Sequence, residues 1–187
     1  MGLINKIIFG GGIVFDLTKW AILLVVVLTV INTFFVGIFV VDGPSMETTL
    51  HDREVVLWGR NSFSSKEPAR GEIVMVNYPG DPLHKKYVKR IVGLPGEKID
   101  IRSGKVYIND KHIREDYLDS SVESTPDGSW QIDEGRFFIM GDNRPNSNDS
   151  RFFGPVEKEF ILGRALAVVF PRFTVPESNS KIQTPAT

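Results

Sequence analysis

Between Trp20 and Val41 the chain carries no charged side chain. Ala21 to Val41 reads AILLVVVLTVINTFFVGIFVV, with Thr29, Asn32 and Thr33 as its polar interruptions. A helix of about 20 apolar residues spans the hydrocarbon core of a bilayer. The run therefore predicts a transmembrane helix over residues 18–40, with Lys19 and Trp20 at its interfacial edge. A cleavable secretory signal fits less well, because its apolar region runs about 7–15 residues and ends in an Ala-x-Ala-like exit. This run is longer, and Asp42-Gly43-Pro44-Ser45 follows it. A buried core helix would not need so long an uncharged stretch. Lys6 and Lys19 precede the span and Arg53 is the first basic residue after it. That asymmetry favours a cytoplasmic N-terminus and an extracytoplasmic remainder. Residues 3–15 are apolar too, with Gly10-Gly11-Gly12 breaking them; they either lie along the membrane surface or lengthen the helix.

After Val41 the pattern changes to short β-rich runs separated by turn residues. Strands are expected at Glu54–Trp58, Glu72–Asn77, Lys86–Val92, Lys98–Ile101, Lys105–Ile108, Arg136–Met140 and Phe160–Phe170. Leu94-Pro95-Gly96-Glu97 has Pro and Gly where a type II turn wants them. Arg102-Ser103-Gly104 and Asn109-Asp110 read as hairpin connections. No amphipathic helix separates the strands, which argues against a parallel doubly wound sheet. The expected fold is mainly β, an antiparallel domain behind one transmembrane helix. Its parts are an N-terminal segment 1–17, an anchor 18–40, an extracytoplasmic domain 41–173 and a polar, frayed tail 174–187. Residues 115–134 hold seven acidic and no basic side chains and read as a solvated loop or hairpin extension.

Composition removes several chemistries. The formal net charge of −1 gives no bulk attraction to nucleic acid. With no cysteine there is no disulfide, thiolate nucleophile or zinc–thiolate site. His51, His84 and His112 show no metal-ligand spacing, so neither a metal nor any other cofactor is expected, and a Ser–His mechanism is the weaker reading.

Three clusters carry candidate chemistry. They are Gly43-Pro44-Ser45-Met46-Glu47-Thr48-Thr49-Leu50, Tyr87-Val88-Lys89-Arg90-Ile91-Val92-Gly93-Leu94-Pro95-Gly96, and Gly141-Asp142-Asn143-Arg144-Pro145-Asn146-Ser147-Asn148-Asp149-Ser150-Arg151. Each alone has an ordinary explanation as a turn, a strand or a loop. Their order and content together, behind an N-terminal anchor, resemble the signature boxes of type I signal peptidases. Arg70-Gly71-Glu72-Ile73-Val74 resembles the strand opener between the serine and lysine boxes of that family. The resemblance runs from the anchor to about Phe170. It implies that Ser45 is the nucleophile, Lys89 the general base and Ser147 the hydroxyl that orients the lysine. It also implies an ion pair of Asp149 with Arg151 that supports the site, and Asp142 is a candidate partner for Arg90.

The chemistry is coherent on its own terms. A serine hydroxyl is a poor nucleophile until a neighbour accepts its proton. A lysine does so only when neutral, and its unperturbed pKa is about 10.4. Desolvation disfavours the ammonium, and Tyr87, Ile91, Val92 and Leu94 give Lys89 an apolar setting. Arg90, always charged, would alternate to the other face. Some family members have an oxyanion-binding serine where this chain has Gly43. The oxyanion would then rest on backbone N–H groups, first that of Ser45. Pro44 is expected to bias Gly43 toward the extended region, which a serine also adopts. Thr48 replaces the usual proline after the nucleophile, and Pro145 stands where an acidic residue is common.

The expected activity is removal of N-terminal signal peptides from exported preproteins, by cutting after Ala-x-Ala-like sites through an acyl-enzyme. The expected partners are such preproteins and the lipid bilayer, without nucleic acid. An extended substrate added to a sheet edge presents alternate side chains to one face, with Phe39, Val41, Met46, Leu50, Tyr87 and Val88 as candidate pocket walls. A self-cleaving repressor with a Ser–Lys dyad would need a DNA-binding module, and penicillin-binding enzymes need Ser-x-x-Lys, where Thr48 stands. The remaining alternative is a catalytically silent anchored protein that binds or scaffolds exported chains. Loss of Ser45 or Lys89 would favour it, and both are present.

Overall fold

Helix α1 runs from Leu3 to Phe34 without a break, so Gly10-Gly11-Gly12 is accommodated within it. The computed structural model describes residues 3–60, 62–77, 80, 85–176 and 182–183; His84 lies outside them. At about 1.5 Å per residue α1 is ~48 Å long. Every side chain from Phe15 to Val30 is exposed, and Thr29 returns its hydroxyl to the Val25 carbonyl at 2.7 Å. Among the described residues no helix is long and apolar enough to cross a membrane. The helix ends earlier than the expected span. Phe35 turns, and strand β1 takes Val36–Val40, because apolar β-branched residues suit a half-buried strand as well as a helix.

The chain divides into two units, residues 1–37 and 38–187. In the second, the strands are β2 (Val55–Arg60), β3 (Ile73–Asn77), β4 (Lys86–Gly93), β5 (Lys98–Arg102), β6 (Lys105–Ile108), β7 (Lys111–His112), β8 (Arg114–Glu115), β9 (Gly128–Gln131), β10 (Arg136–Met140), β11 (Val156–Glu157), β12 (Ile161–Phe170) and β13 (Ile182–Gln183), with a one-turn helix α2 at Ser150–Phe153. A seven-stranded sheet is ordered β1-β2-β12-β3-β4-β10-β11, and a four-stranded one β7-β6-β5-β9. The paired strands whose register is defined are antiparallel, as expected from sequence. The turns follow from their residues: Glu97 N–H donates to the Leu94 carbonyl with Gly96 at φ 80°, and Ser103, Gly104, Asn109 and Asp110 all take positive φ.

Strand β4 lies between β3 and β10, with Lys89 opposite Val74 and Arg90 opposite both Ile73 and Met140. Apolar clusters cover both of its faces. Val88 packs with Val41, Met46, Leu50, Val56, Ile73 and Val168, while Ile91 and Val92 enter two further clusters. Two expectations are corrected. The acidic segment is not merely solvated: β8 and β9 pair into sheets, and Ser124 is buried. Nor is the tail wholly frayed, since Thr174 exchanges backbone bonds with Val168 and β13 pairs with β8.

Candidate active site

Ser45 sits in a tight turn entered from β1. Glu47 N–H donates to the Pro44 carbonyl at 3.0 Å, and Leu50 N–H to the Met46 carbonyl at 2.8 Å. Gly43 N–H donates to Asp52 Oδ1 at 2.8 Å, and Gly43 has φ 92°. This corrects the expectation of an extended Gly43. The ring of Pro44 discourages helical backbone in the residue before it, but a residue without Cβ satisfies that constraint at positive φ as readily as at negative. Thr48 also takes positive φ, 84°, a conformation closed to proline, so a proline at this position would not fit this turn.

Lys89 Nζ lies 2.7 Å from Ser45 Oγ, its one hydrogen-bond partner among the described residues. The lysine is 2% exposed. Burial lowers its pKa from 10.5 to about 8, with Arg151 acting in the same sense and Asp149 and Asp142 opposing. While charged, the ammonium donates to Oγ; once neutral, the amine accepts the Ser45 proton across the same contact.

Behind the dyad the 141–151 loop is held by buried arginines. Arg90 takes Asp142 in a fork, Nε to Oδ1 at 2.9 Å and Nη2 to Oδ2 at 2.7 Å, and its Nη1 donates to the Gly71 carbonyl at 2.9 Å. Thr49 Oγ1 donates to Asp142 Oδ2 at 2.5 Å, tying the turn of the nucleophile to the same carboxylate. Asp149 caps α2 and is gripped by Arg151 through Nε and Nη2, each at 2.8 Å. Its Oδ2 also accepts from Gly141 N–H at 2.9 Å. Bidentate charged contacts of this kind fix orientation as well as charge.

Sequence reasoning missed several members. Arg144 is fully buried; it donates to Gly141 O at 3.1 Å and to both Glu115 oxygens, at 2.6 and 3.0 Å. Its Nη2 also reaches Tyr117 OH at 3.0 Å. Tyr117 lies under the Arg90 guanidinium, 4.0 Å from ring centroid to Cζ. Burial and the neighbouring Glu115 push the Tyr117 phenol well up, which keeps it neutral. These partners are more than 20 residues from the loop in sequence, and no local pattern announces them. Gly141 was visible only as part of a motif. A Cβ there would lie 2.4 Å from the Ser45 carbonyl oxygen and 2.2 Å from Ser147 Oγ, so the loop closes on the nucleophile only with glycine.

Ser147 is buried and packs against Gly141, but its Oγ has no hydrogen-bond partner among the described residues. The bond to Lys89 implied by the resemblance is not made in this structure. A cavity of about 410 Å³ opens beside the dyad, lined by Ser45, Phe39, Val41, Met46, Tyr87 and Val88 among others. Leu50 is not on its wall. The turn that bonds its N–H to Met46 O directs it into the core, where it is fully buried with Val56, Ile73 and Val168. Among the described residues no group of His, Asp or Glu side chains could hold a metal ion.

A serine hydroxyl bonded to a buried lysine beside an open groove is the arrangement a Ser–Lys hydrolase requires. The family model for signal peptidase, peptidase S26, matches residues 14–170, and the chain belongs to this family. It is 39% identical over 168 residues to a signal peptidase I of Bacillus amyloliquefaciens, covering 84% of this chain and 89% of that one. It is 37% identical over 178 residues to signal peptidase I S of Bacillus subtilis strain 168, covering 88% and 95%. A solved signal peptidase I from Enterococcus faecalis V583 aligns over 53% of this chain and 97% of its own, at 32% identity and a TM-score of 0.47.

Proposed function

We infer that this chain is a serine endopeptidase that removes N-terminal signal peptides from preproteins. The observation that carries the reading is the 2.7 Å contact between Ser45 Oγ and a buried Lys89, at the edge of an open groove. Neutral Lys89 takes the proton as Ser45 Oγ attacks the scissile carbonyl. The oxyanion is received by Ser45 N–H, which donates to no acceptor among the described residues. Collapse expels the new amine, protonated by Lys89, and leaves an acyl-enzyme. Lys89 then deprotonates a water that releases the signal peptide and frees Ser45. Asp142 with Arg90 and Asp149 with Arg151 hold this geometry. The buried, unpartnered hydroxyl of Ser147 supports a role as acceptor for the Lys89 ammonium that forms during turnover, since an unmade buried hydrogen bond costs about 1–3 kcal/mol. With a family match to peptidases and both dyad members present, a catalytically silent scaffold has no support.

The groove suits an extended peptide. Strand β10 pairs with β4 only from Arg90 to Gly93, so the earlier part of β4 borders the groove. Alternate substrate side chains there meet Phe39, Val41, Met46, Tyr87 and Val88, which favours small residues one and three before the cut. Among the described residues no helix meets the requirement for a span, so the membrane reading rests on the sequence, where the uncharged run from Trp20 to Val41 continues past the exposed stretch Phe15–Val30 of α1. Exposed Ile38 and Val40 on β1 and Phe170 on β12, strands that flank β2, add to it. We assign the helix to the bilayer, the N-terminus to the cytoplasm and residues 42–187 to the outer side. No cofactor is required.

The test is cleavage of an Ala-x-Ala-containing peptide by the full chain in detergent. Ser45→Ala and Lys89→Ala should each abolish it, as should Lys89→Arg, because a guanidinium does not deprotonate. Robust turnover by either alanine variant removes the mechanism. Protease added to intact spheroplasts should digest residues 42–187; full protection there would reverse the orientation.

A further inference from the structure

Asn143 grips the backbone on both sides of the nucleophile. Its side-chain Nδ2 donates to the Pro44 carbonyl at 3.0 Å, and its backbone N–H donates to the Ser45 carbonyl at 3.1 Å. The amide is oriented from behind, since Asn143 Oδ1 accepts from Asn146 Nδ2 at 3.3 Å. The loop cannot drift from the turn, because Gly141 abuts the Ser45 carbonyl and Asp142 is locked to Arg90 and Thr49.

The Pro44 carbonyl and the Ser45 N–H belong to one peptide unit. That unit is planar and trans, so its C=O and N–H point in opposite directions. A donor fixed on the carbonyl therefore fixes the direction of the N–H, away from Asn143. The carbonyl accepts from Glu47 N–H as well, using both lone pairs. Two donors on the oxygen polarise the unit and make its N–H a stronger donor. Gly43 offers no side chain to the oxyanion, and the Pro44–Ser45 peptide is held by Glu47 N–H from within the turn and by Asn143 from outside it.

We propose that Asn143 is a positioning residue for oxyanion stabilisation, acting through the Pro44–Ser45 peptide rather than on substrate. The proposal rests on the peptidase reading and on Ser45 N–H as the oxyanion donor. Deleting an oxyanion donor outright costs about 10²–10³ in rate. Loosening one that keeps its second anchor, Glu47 N–H, should cost less, about tenfold.

The experiment compares Asn143→Ala and the near-isosteric, uncharged Asn143→Leu, neither of which has a side-chain donor, with the unaltered full chain in detergent. Each is measured with an Ala-x-Ala peptide substrate, with the peptide aldehyde ending at the second alanine, and with the same peptide as its C-terminal amide. The aldehyde forms a tetrahedral adduct with Ser45 whose oxygen needs the hole; the amide binds only as a ground-state ligand. Both variants should lose about tenfold or more in kcat and in aldehyde affinity, with amide affinity, KM and the midpoint of the pH–rate profile unchanged. Equal loss of aldehyde and amide affinity would show groove collapse and overturn the proposal, as would unaltered aldehyde affinity. A shifted midpoint would place the effect on Lys89 and overturn it too. The peptidase reading fails separately, if the unaltered chain does not cleave the substrate.

Discussion

Activity should rise with pH through a midpoint near 8, and the midpoint should move when the charges behind Lys89 change. At the ordinary lysine value of 10.5, only about 3 in 10,000 molecules would hold a neutral base at pH 7. With the pKa lowered to about 8, about one in ten does, a gain of roughly 300-fold in competent enzyme. The neutral amine is the active form, so kcat/KM should climb about tenfold between pH 7 and pH 9 and then level off. Asp149→Asn tests the cause. The Asp149 carboxylate is the strongest influence opposing desolvation at Lys89, and it also neutralises Arg151, which acts with desolvation. Removing its charge therefore favours the neutral lysine twice over, and the midpoint should fall below that of the unaltered enzyme. The amide oxygen can still accept from Gly141 N–H, so the site should survive with a lower plateau. The assay is kcat/KM on an Ala-x-Ala peptide from pH 6 to 10.5 in detergent. A rate that climbs without levelling to pH 10, or a midpoint that moves upward in Asp149→Asn, would refute desolvation as the device that prepares the base.

Gly43→Ser should lower stability by about 1–3 kcal/mol and reduce kcat, because φ 92° is costly for any side chain even though a Cβ there meets nothing within 4 Å; thermal melts and steady-state kinetics check it, and equal or higher activity would contradict the observed turn. Gly141→Ala should cut kcat by at least about a hundredfold, since its Cβ would displace the Ser45 carbonyl that lies 2.4 Å away; near-normal turnover on a peptide would count against the close approach. Thr48→Gly should raise the melting temperature with activity retained, as a β-branched residue at φ 84° is strained by about 1–3 kcal/mol.

Much of this arrangement is legible in the sequence because its causes are local. Pro95-Gly96, Ser103-Gly104 and Asn109-Asp110 name their turns through the backbone angles those residues tolerate, and strands β2 to β6, β10 and β12 fall within a few residues of where the apolar runs place them. Ser45, Lys89 and the Asp142–Arg151 loop were visible as compact motifs. What stayed hidden depends on distant partners or on degenerate signals. Val36–Val40 satisfies the rules for a strand and for the end of an apolar helix, and pairing with β2 decides. Glu115, Tyr117 and Ser124 look like solvated polar residues until Arg144, buried and needing counter-charge, draws them inward. Gly43 misled because a proline neighbour restrains its residue in one dihedral while glycine remains free in the other. Leu50 has the right composition for a pocket wall, but the turn geometry after Ser45 decides which way it faces.

Strand β4 carries a lysine and an arginine at consecutive positions, one facing Ser45 and the other Asp142. A slip of β4 by a single residue would bring Arg90 into the place of Lys89 and Ile91 into that of Arg90, presenting Ser45 with a cation that never gives up its proton. Ordinary half-buried strands resist such slips because an apolar face would be turned to water. Here every residue from Val88 to Val92 is buried, so burial discriminates poorly between the two alignments. The fork between Arg90 and Asp142, closed by the Gly71 carbonyl, supplies what burial does not: it can be made in one alignment and is lost in the other. The ion pair behind the site is therefore tied to one register of β4, the one that brings Lys89 to Ser45.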